Sequence, residues 1–233
     1  MKKNLIRLKN YLFENKTIFA KGLCGKKIFL IFIIGSIIGC YYEQILNLIK
    51  HYLADDSIFW ERRRGVIYTP LSPVYGAGAV LITIILLRKK LNFIKIFIYS
   101  ALIGGIFEYA ISFLQEKFIG STSWNYSEYF LNINGRTTIP FMLMWGLGGL
   151  VFVKIIYPFV SNLIEVIPYN LGNIIYFILL VITICDMAIS WTALIRQNLR
   201  RKDYPPITSV GELYDKIYTD EKMAKYFPNM VSK

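Results

Sequence analysis

The sequence predicts an all-α integral membrane protein: a bundle of about five transmembrane helices, or six if one crossing is hidden, with a re-entrant or irregular segment near residues 62–79. Three observations carry that expectation. Hydrophobic residues make up 55% of the 233-residue chain and mean hydropathy is +0.44, concentrated in runs long enough, at about 1.5 Å per residue, to cross a hydrocarbon core of roughly 30 Å. The Lys and Arg that give a net charge of +12 gather at the ends of those runs, where anionic lipid headgroups attract them. Membrane lipids, and not nucleic acid, are the partners this distribution favours. The third observation is the stretch from Arg62-Arg63-Arg64-Gly65 to Pro70, Pro73, Tyr75, Gly76 and Gly78. Its prolines fix φ and withhold backbone donors, and its glycines permit close approach. Non-helical backbone at membrane depth must be satisfied by protein or by a water-filled cavity, so this mouth is a candidate site.

Taken in order, residues 1–27 form a basic N-terminal surface segment, 28–196 the transmembrane domain and 197–233 a polar C-terminal tail. The first span is expected at 28–49 and contains Glu43. A polar connection carrying Trp60, Glu61 and the arginines leads to a second span at 71–87, and Arg88-Lys89-Lys90 makes a basic turn. The third span, 93–114, holds Gly104, Gly105 and Glu108; the small residues let a neighbouring helix approach. A second polar connection, 115–138, precedes a glycine-interrupted fourth span at 139–160. The fifth, 171–195, contains Asp186. In the tail, Ser209-Val210-Gly211-Glu212 has capping-box spacing and predicts short helices ending near Pro228. Basic residues balance across the two faces, so the positive-inside rule does not orient the chain; a cytoplasmic N-terminus follows only from the usual dominance of the first helix.

Buried acids are the strongest chemical clue. Five alternating spans place Glu43, Glu108 and Asp186 at similar depth in one half of the bilayer. The two long polar connections fall on the same face, so Arg64, Tyr75, Trp124, Asn125, Tyr126, Asn134 and Arg136 could converge with the acids on one cavity. A carboxylate inside a membrane is costly and marks function or ion pairing. Glycine beside Arg136 would let its guanidinium approach an anion. Cys24, Cys40 and Cys185 are scattered and His51 is the single histidine, so no metal or other cofactor is expected. The first apolar run lacks a small-residue cleavage pattern, so no cleaved leader is expected.

Several motifs occur in a fixed order: Tyr42-Glu43, Arg64-Gly65 leading to Pro73-x-Tyr75-Gly76-x-Gly78-Ala79, Glu108-Tyr109, Trp124-Asn125-Tyr126-Ser127, Asn132-x-Asn134-Gly135-Arg136 and Asp186-x-x-x-Ser190. Over about residues 38–192 this pattern resembles the CmpB-like putative ABC-transporter permease family of bacterial membrane proteins. Two positions depart from it: the family usually has aspartate where this chain has Asn125, and glycine where it has Thr69. The resemblance implies a multi-pass protein of the bacterial cytoplasmic membrane that works in transport. The chain has no Walker-type glycine loop, so ATP hydrolysis would need a separate ATPase subunit.

Two readings of the polar cavity stand side by side. In one, Glu43, Glu108 and Asp186 with the arginines line a path for a small charged or lipid-linked substrate. In the other, the protein is a membrane-embedded enzyme acting on a phospholipid or lipid-linked substrate; the arginines hold a phosphate and Glu108 acts as a base. Oligomeric state is not legible in the sequence.

Overall fold

A computed structural model describes residues 11–13, 18–55 and 58–232; most of the basic N-terminal segment lies outside these. Helix α1, Gly25–Asp55, is followed by an extended stretch and then α2, Pro73–Leu86. Next come α3, Phe93–Ile119, and a crossing built from α4, Ile139–Val151, a π-helical turn, Phe152–Ile156, and α5, Tyr157–Val166. Helix α6, Tyr169–Arg201, makes the last crossing, and the tail adds α7, Ser209–Ile217, and α8, Asp220–Tyr226. Four segments, 25–54, 93–119, 139–166 and 169–201, are long and apolar enough to span a membrane. The protein is an all-α membrane bundle.

Local chemistry sets the ends. Asn92 caps α3 by accepting from the Lys95 N–H at 3.0 Å, and Gly120, at φ 76°, closes it in the left-handed conformation that glycine adopts without penalty. Thr138 caps α4 by accepting from the Phe141 N–H at 3.1 Å. The π-helical turn ends two residues before Pro158, whose missing N–H leaves the Lys154 carbonyl without its usual helical donor. In the tail the cap of α7 is Thr208 and not Ser209; its hydroxyl accepts from the Gly211 N–H at 3.2 Å.

Helix α2 departs from a full span. Its 14 residues cover roughly 21 Å, short of the core thickness. Gly35 lies against Ala79 and Gly39 against the Tyr75 ring, so α2 runs antiparallel to α1 and begins level with about residue 41 of it. The extended chain before Pro73 therefore reaches down beside α1 before the helix starts. The irregular segment expected at 62–79 is thus confined to 62–72. Gly76 sits on the Phe32 carbonyl and the Ser36 hydroxyl, where a Cβ would overlap both. On the next seam Trp145 of α4 fills the space left by Gly78 and Gly104, and Met142 packs on Gly105. The small residues do what their positions predicted: they bring α2, α3 and α4 together.

In the 139–166 span only 11% of the apolar window is buried, and Leu143, Leu147, Ile155 and Phe159 are exposed. That much bare apolar surface suits a membrane environment. The tail folds back on the bundle. Met223, Phe227 and Tyr218 pack with Ile67, Ala193 and Leu194, while Val231–Ser232 pairs with Ser121–Thr122. The Arg196 guanidinium donates to both Asp215 oxygens at 2.9 and 2.6 Å, and Arg200 bridges Asp215 and Asp220.

Candidate functional site: an acid and phenol cluster beneath an arginine loop

The extended chain entering α2 carries backbone N–H groups that lipid cannot satisfy. Two side chains of α6 take them. The Ile67 N–H donates to Ser190 Oγ at 2.8 Å; Tyr68 N–H and Thr69 N–H donate to the two Asp186 oxygens at 3.1 and 2.7 Å. The Thr69 and Ser190 hydroxyls complete the carboxylate at 2.6 and 3.0 Å. Further up, Gly65 N–H reaches the Leu71 carbonyl at 2.9 Å and Ser72 N–H the Ser36 carbonyl at 3.0 Å. Asp186 thus holds the loop in place and has every oxygen engaged.

Glu43 and Glu108 are held differently. The Tyr75 hydroxyl donates to Glu43 at 2.9 Å. Glu108, buried on α3, accepts from the Thr137 hydroxyl at 2.6 Å and the Tyr126 hydroxyl at 3.2 Å. The two carboxylates lie within electrostatic reach of each other, and neither ion-pairs with a described residue. Burial and the neighbouring Glu108 and Glu43 carboxylates push the Tyr126 phenol up, so it stays protonated and donates. Aromatic rings pack on the two phenols: Trp145 stacks on Tyr75 at 5.9 Å, Tyr42 meets Tyr75 edge-on at 6.3 Å, and Phe141 packs on Tyr126 at 4.7 Å.

Above this cluster sits the arginine loop. Asn47, one turn beyond Glu43 on the same face of α1, donates to Glu61 at 2.8 Å, and Glu61 ion-pairs with Arg63. Arg62 donates to the Ile67 carbonyl and lies on the Tyr226 ring at 5.0 Å. Burial, then the adjacent Arg64 guanidinium, lowers the Arg62 pKa below its ordinary value. The Nε atoms of Arg62, Arg63 and Arg64 are all buried and all without a hydrogen-bond partner.

The remaining candidates take structural positions around the cluster. Trp124 donates to the Arg136 carbonyl at 2.8 Å and stacks on Tyr126 at 6.4 Å. Asn125 accepts from the Ser127 N–H and hydroxyl at 3.0 and 2.6 Å, a turn that an aspartate would close equally well. Asn134 donates to the Tyr109 hydroxyl at 3.0 Å. Arg136 pairs with Glu116 at 2.5 Å and lies over Phe113 and Tyr109. The structure therefore brings Glu43, Glu108, Tyr75 and Tyr126 together and sets Asp186 on the loop. Thr137 and Trp145 join the site without having been singled out from the sequence, and Arg62 and Arg63, read there as part of the basic mouth, lie beside Arg64. A hydroxyl beside Arg136 and a tryptophan on a glycine-rich helix were the available signals.

Among the described residues no three His, Cys, Asp or Glu side chains are placed to share a metal ion. No curated protein and no solved structure matches the chain. One family model does, over residues 30–191, and that span takes in both carboxylates of the cluster, the arginine loop and Asp186 with Ser190. The chain belongs to the family described as "Putative ABC-transporter type IV".

Proposed function

We propose that the protein is the membrane-spanning component of a bacterial transport system, and that the Glu43–Glu108 cluster beneath the arginine loop holds a small charged or lipid-linked substrate. Family membership supports the transport role and a multi-pass membrane location. The observation that carries the site is the state of Glu43 and Glu108: two carboxylates within electrostatic reach of each other, whose donors are side-chain hydroxyls, with no ion-paired cation of the described chain. Hydroxyls rotate, so these carboxylates can exchange donors with a substrate, whereas Asp186 cannot without releasing the loop. Energy from ATP would come from a separate ATPase subunit.

The test is a ligand and partner profile of the protein purified in native nanodiscs, compared with Glu108→Gln. A bound small molecule or lipid present in the parent and lost from the variant, with an ATPase subunit co-purifying, supports the reading. Identical ligand profiles in the two proteins overturn it. A ligand that stays bound to Glu108→Gln but is no longer chemically converted would instead favour an enzyme acting on that ligand.

A further inference from the structure

The arginine loop and the acid cluster are two halves of one arrangement. Glu43 and Asn47 share a face of α1 one helical turn apart, about 6 Å. Asn47 and Glu61 fix Arg63 directly beside that face, and Arg63 lies within electrostatic reach of Glu43. On the arginine side, three guanidinium groups in succession face few acids. Glu61 pairs with Arg63, and Asp186, though within reach of Arg62, has its oxygens taken by Tyr68, Thr69 and Ser190. Arg64 meets no acid or carbonyl among the described residues, and three buried Nε donors are left without acceptors. Buried donors without acceptors cost free energy that an anion would recover, and the planar guanidinium fork matches a phosphate. On the acid side, two carboxylates without a paired cation accept from the Tyr75 and Tyr126 hydroxyls, and Trp145 and Tyr42 pack on the Tyr75 ring. Two buried carboxylates with no cation of their own are the chemistry that receives an ammonium group.

We infer that the substrate of this site is a zwitterion of the phosphoethanolamine type, its phosphate held by Arg62, Arg63 and Arg64 and its amine between Glu43 and Glu108. This rests on the preceding reading that the Glu43–Glu108 cluster holds substrate. Glu43 lies one turn deeper along α1 than Asn47, so the amine enters first and the phosphate stays at the mouth. The same headgroup chemistry is available on a phospholipid and on a soluble phosphoamine. Arg63 is already paired with Glu61, but Arg62 and Arg64 have no ion-paired acid and Glu43 and Glu108 no ion-paired cation among the described residues, and a ligand carrying both charges supplies both counterparts.

Native mass spectrometry of the detergent-purified full chain separates the outcomes. The protein is offered equimolar dioleoyl-phosphatidylethanolamine and dioleoyl-phosphatidylglycerol, and separately O-phosphoethanolamine as competitor. The parent should retain the ethanolamine lipid about tenfold over the glycerol lipid, the scale of one charge-assisted contact. Arg64→Gln should lower retention of both lipids. Glu43→Gln and Glu108→Gln should lower only the ethanolamine lipid. Arg64→Lys, which keeps the charge but loses the fork, should fall between parent and Arg64→Gln, and its thermal unfolding reports whether the loop still folds. Displacement by O-phosphoethanolamine assigns the soluble source; retention of the lipid against it assigns the membrane. Equal retention of the two lipids by the parent, or a loss of both in the glutamate variants, overturns the inference. If the glutamate variants instead release a co-purified ligand that has no phosphate, the cluster still holds substrate and only the zwitterion is wrong. If they release nothing, both readings fall.

Discussion

Asp186 and Glu108 are both buried carboxylates on membrane-spanning helices, and they meet different kinds of donor. Asp186 accepts from two backbone N–H groups and two hydroxyls, all part of one lock between α6 and the loop at 67–69. Glu108 accepts from two hydroxyls, Thr137 and Tyr126, and lies within electrostatic reach of a second acid, Glu43. Backbone donors have no alternative partner at membrane depth, while hydroxyls can turn to another acceptor. A buried acid is thus committed to architecture or left available for a ligand by what surrounds it, and depth in the membrane alone does not distinguish the two.

Removing the acid that satisfies backbone should have the largest effect on stability. Asp186→Ala strands the Tyr68 and Thr69 N–H groups and two hydroxyls, at about 1–3 kcal/mol for each unsatisfied buried donor, so a loss on the order of 4 kcal/mol is expected. Thermal unfolding of the detergent-purified protein measures it. A variant that unfolds within a degree or two of the parent breaks the distinction between the two acids.

The next effect tests what shapes the phenol cluster. A Cβ at Gly104 would lie 2.2 Å from Trp145 Cγ, and Trp145 is the ring stacked on Tyr75. Gly104→Val should therefore cost about 2 kcal/mol by overpacking the α3–α4 seam and should also displace Tyr75 from Glu43. Thermal unfolding and tryptophan fluorescence follow the two consequences. Lost stability with unchanged emission would mean that Trp145 does not position the cluster.

Glu108→Gln should cost less than about 1 kcal/mol, because the amide oxygen still accepts from one hydroxyl, and should abolish ligand retention. A stability loss as large as that of Asp186→Ala would place Glu108 with the structural acids. The contrast between small cost here and large cost at Asp186 is the sharpest form of the comparison.

Much of this was legible in the sequence, for reasons that separate cleanly. The crossings are apolar runs of about twenty residues, and nothing else accounts for such runs. The break at 62–72 was announced by Pro70, Pro73 and the adjacent glycines, and Gly104 marked a close helix contact. The three acids stood out because carboxylates are rare in apolar runs. What each acid binds was not legible, since Asp186 meets Tyr68 and Thr69 across more than a hundred residues and no local spacing encodes that. Nor was the partner of Arg136 legible: it was read as able to approach an anion, and the fold pairs it with Glu116 at the end of α3. The docked tail left a readable trace, Met223 and Phe227 four apart in a polar segment, but only the fold reveals their partner, the cluster around Ile67 and Ala193.

The smallest expected effect concerns that tail, which covers the same loop from the other side through Tyr218 and Tyr226. The Arg196 guanidinium, then that of Arg200, holds the Asp215 carboxyl below its ordinary value of 3.8, against the opposing effect of burial. An acid whose folded pKa lies below its unfolded one contributes stability above the unfolded value and loses it as pH falls through the folded value. Tail docking should therefore be unchanged from neutral pH down to about 4 and weaken below 3.8. The pair is partly exposed, so solvent screening keeps the effect small. Anisotropy of a fluorophore on Ser209→Cys, in a background lacking the native cysteines, follows the tail as pH is lowered. Asp215→Asn should show at neutral pH the looser tail that the parent reaches only in acid, with little further change below 3.8. If the parent tail loosens in acid and the asparagine variant follows the same curve, another carboxylate controls docking, and Asp220, bound by Arg200 and Gln197, is the one to replace next.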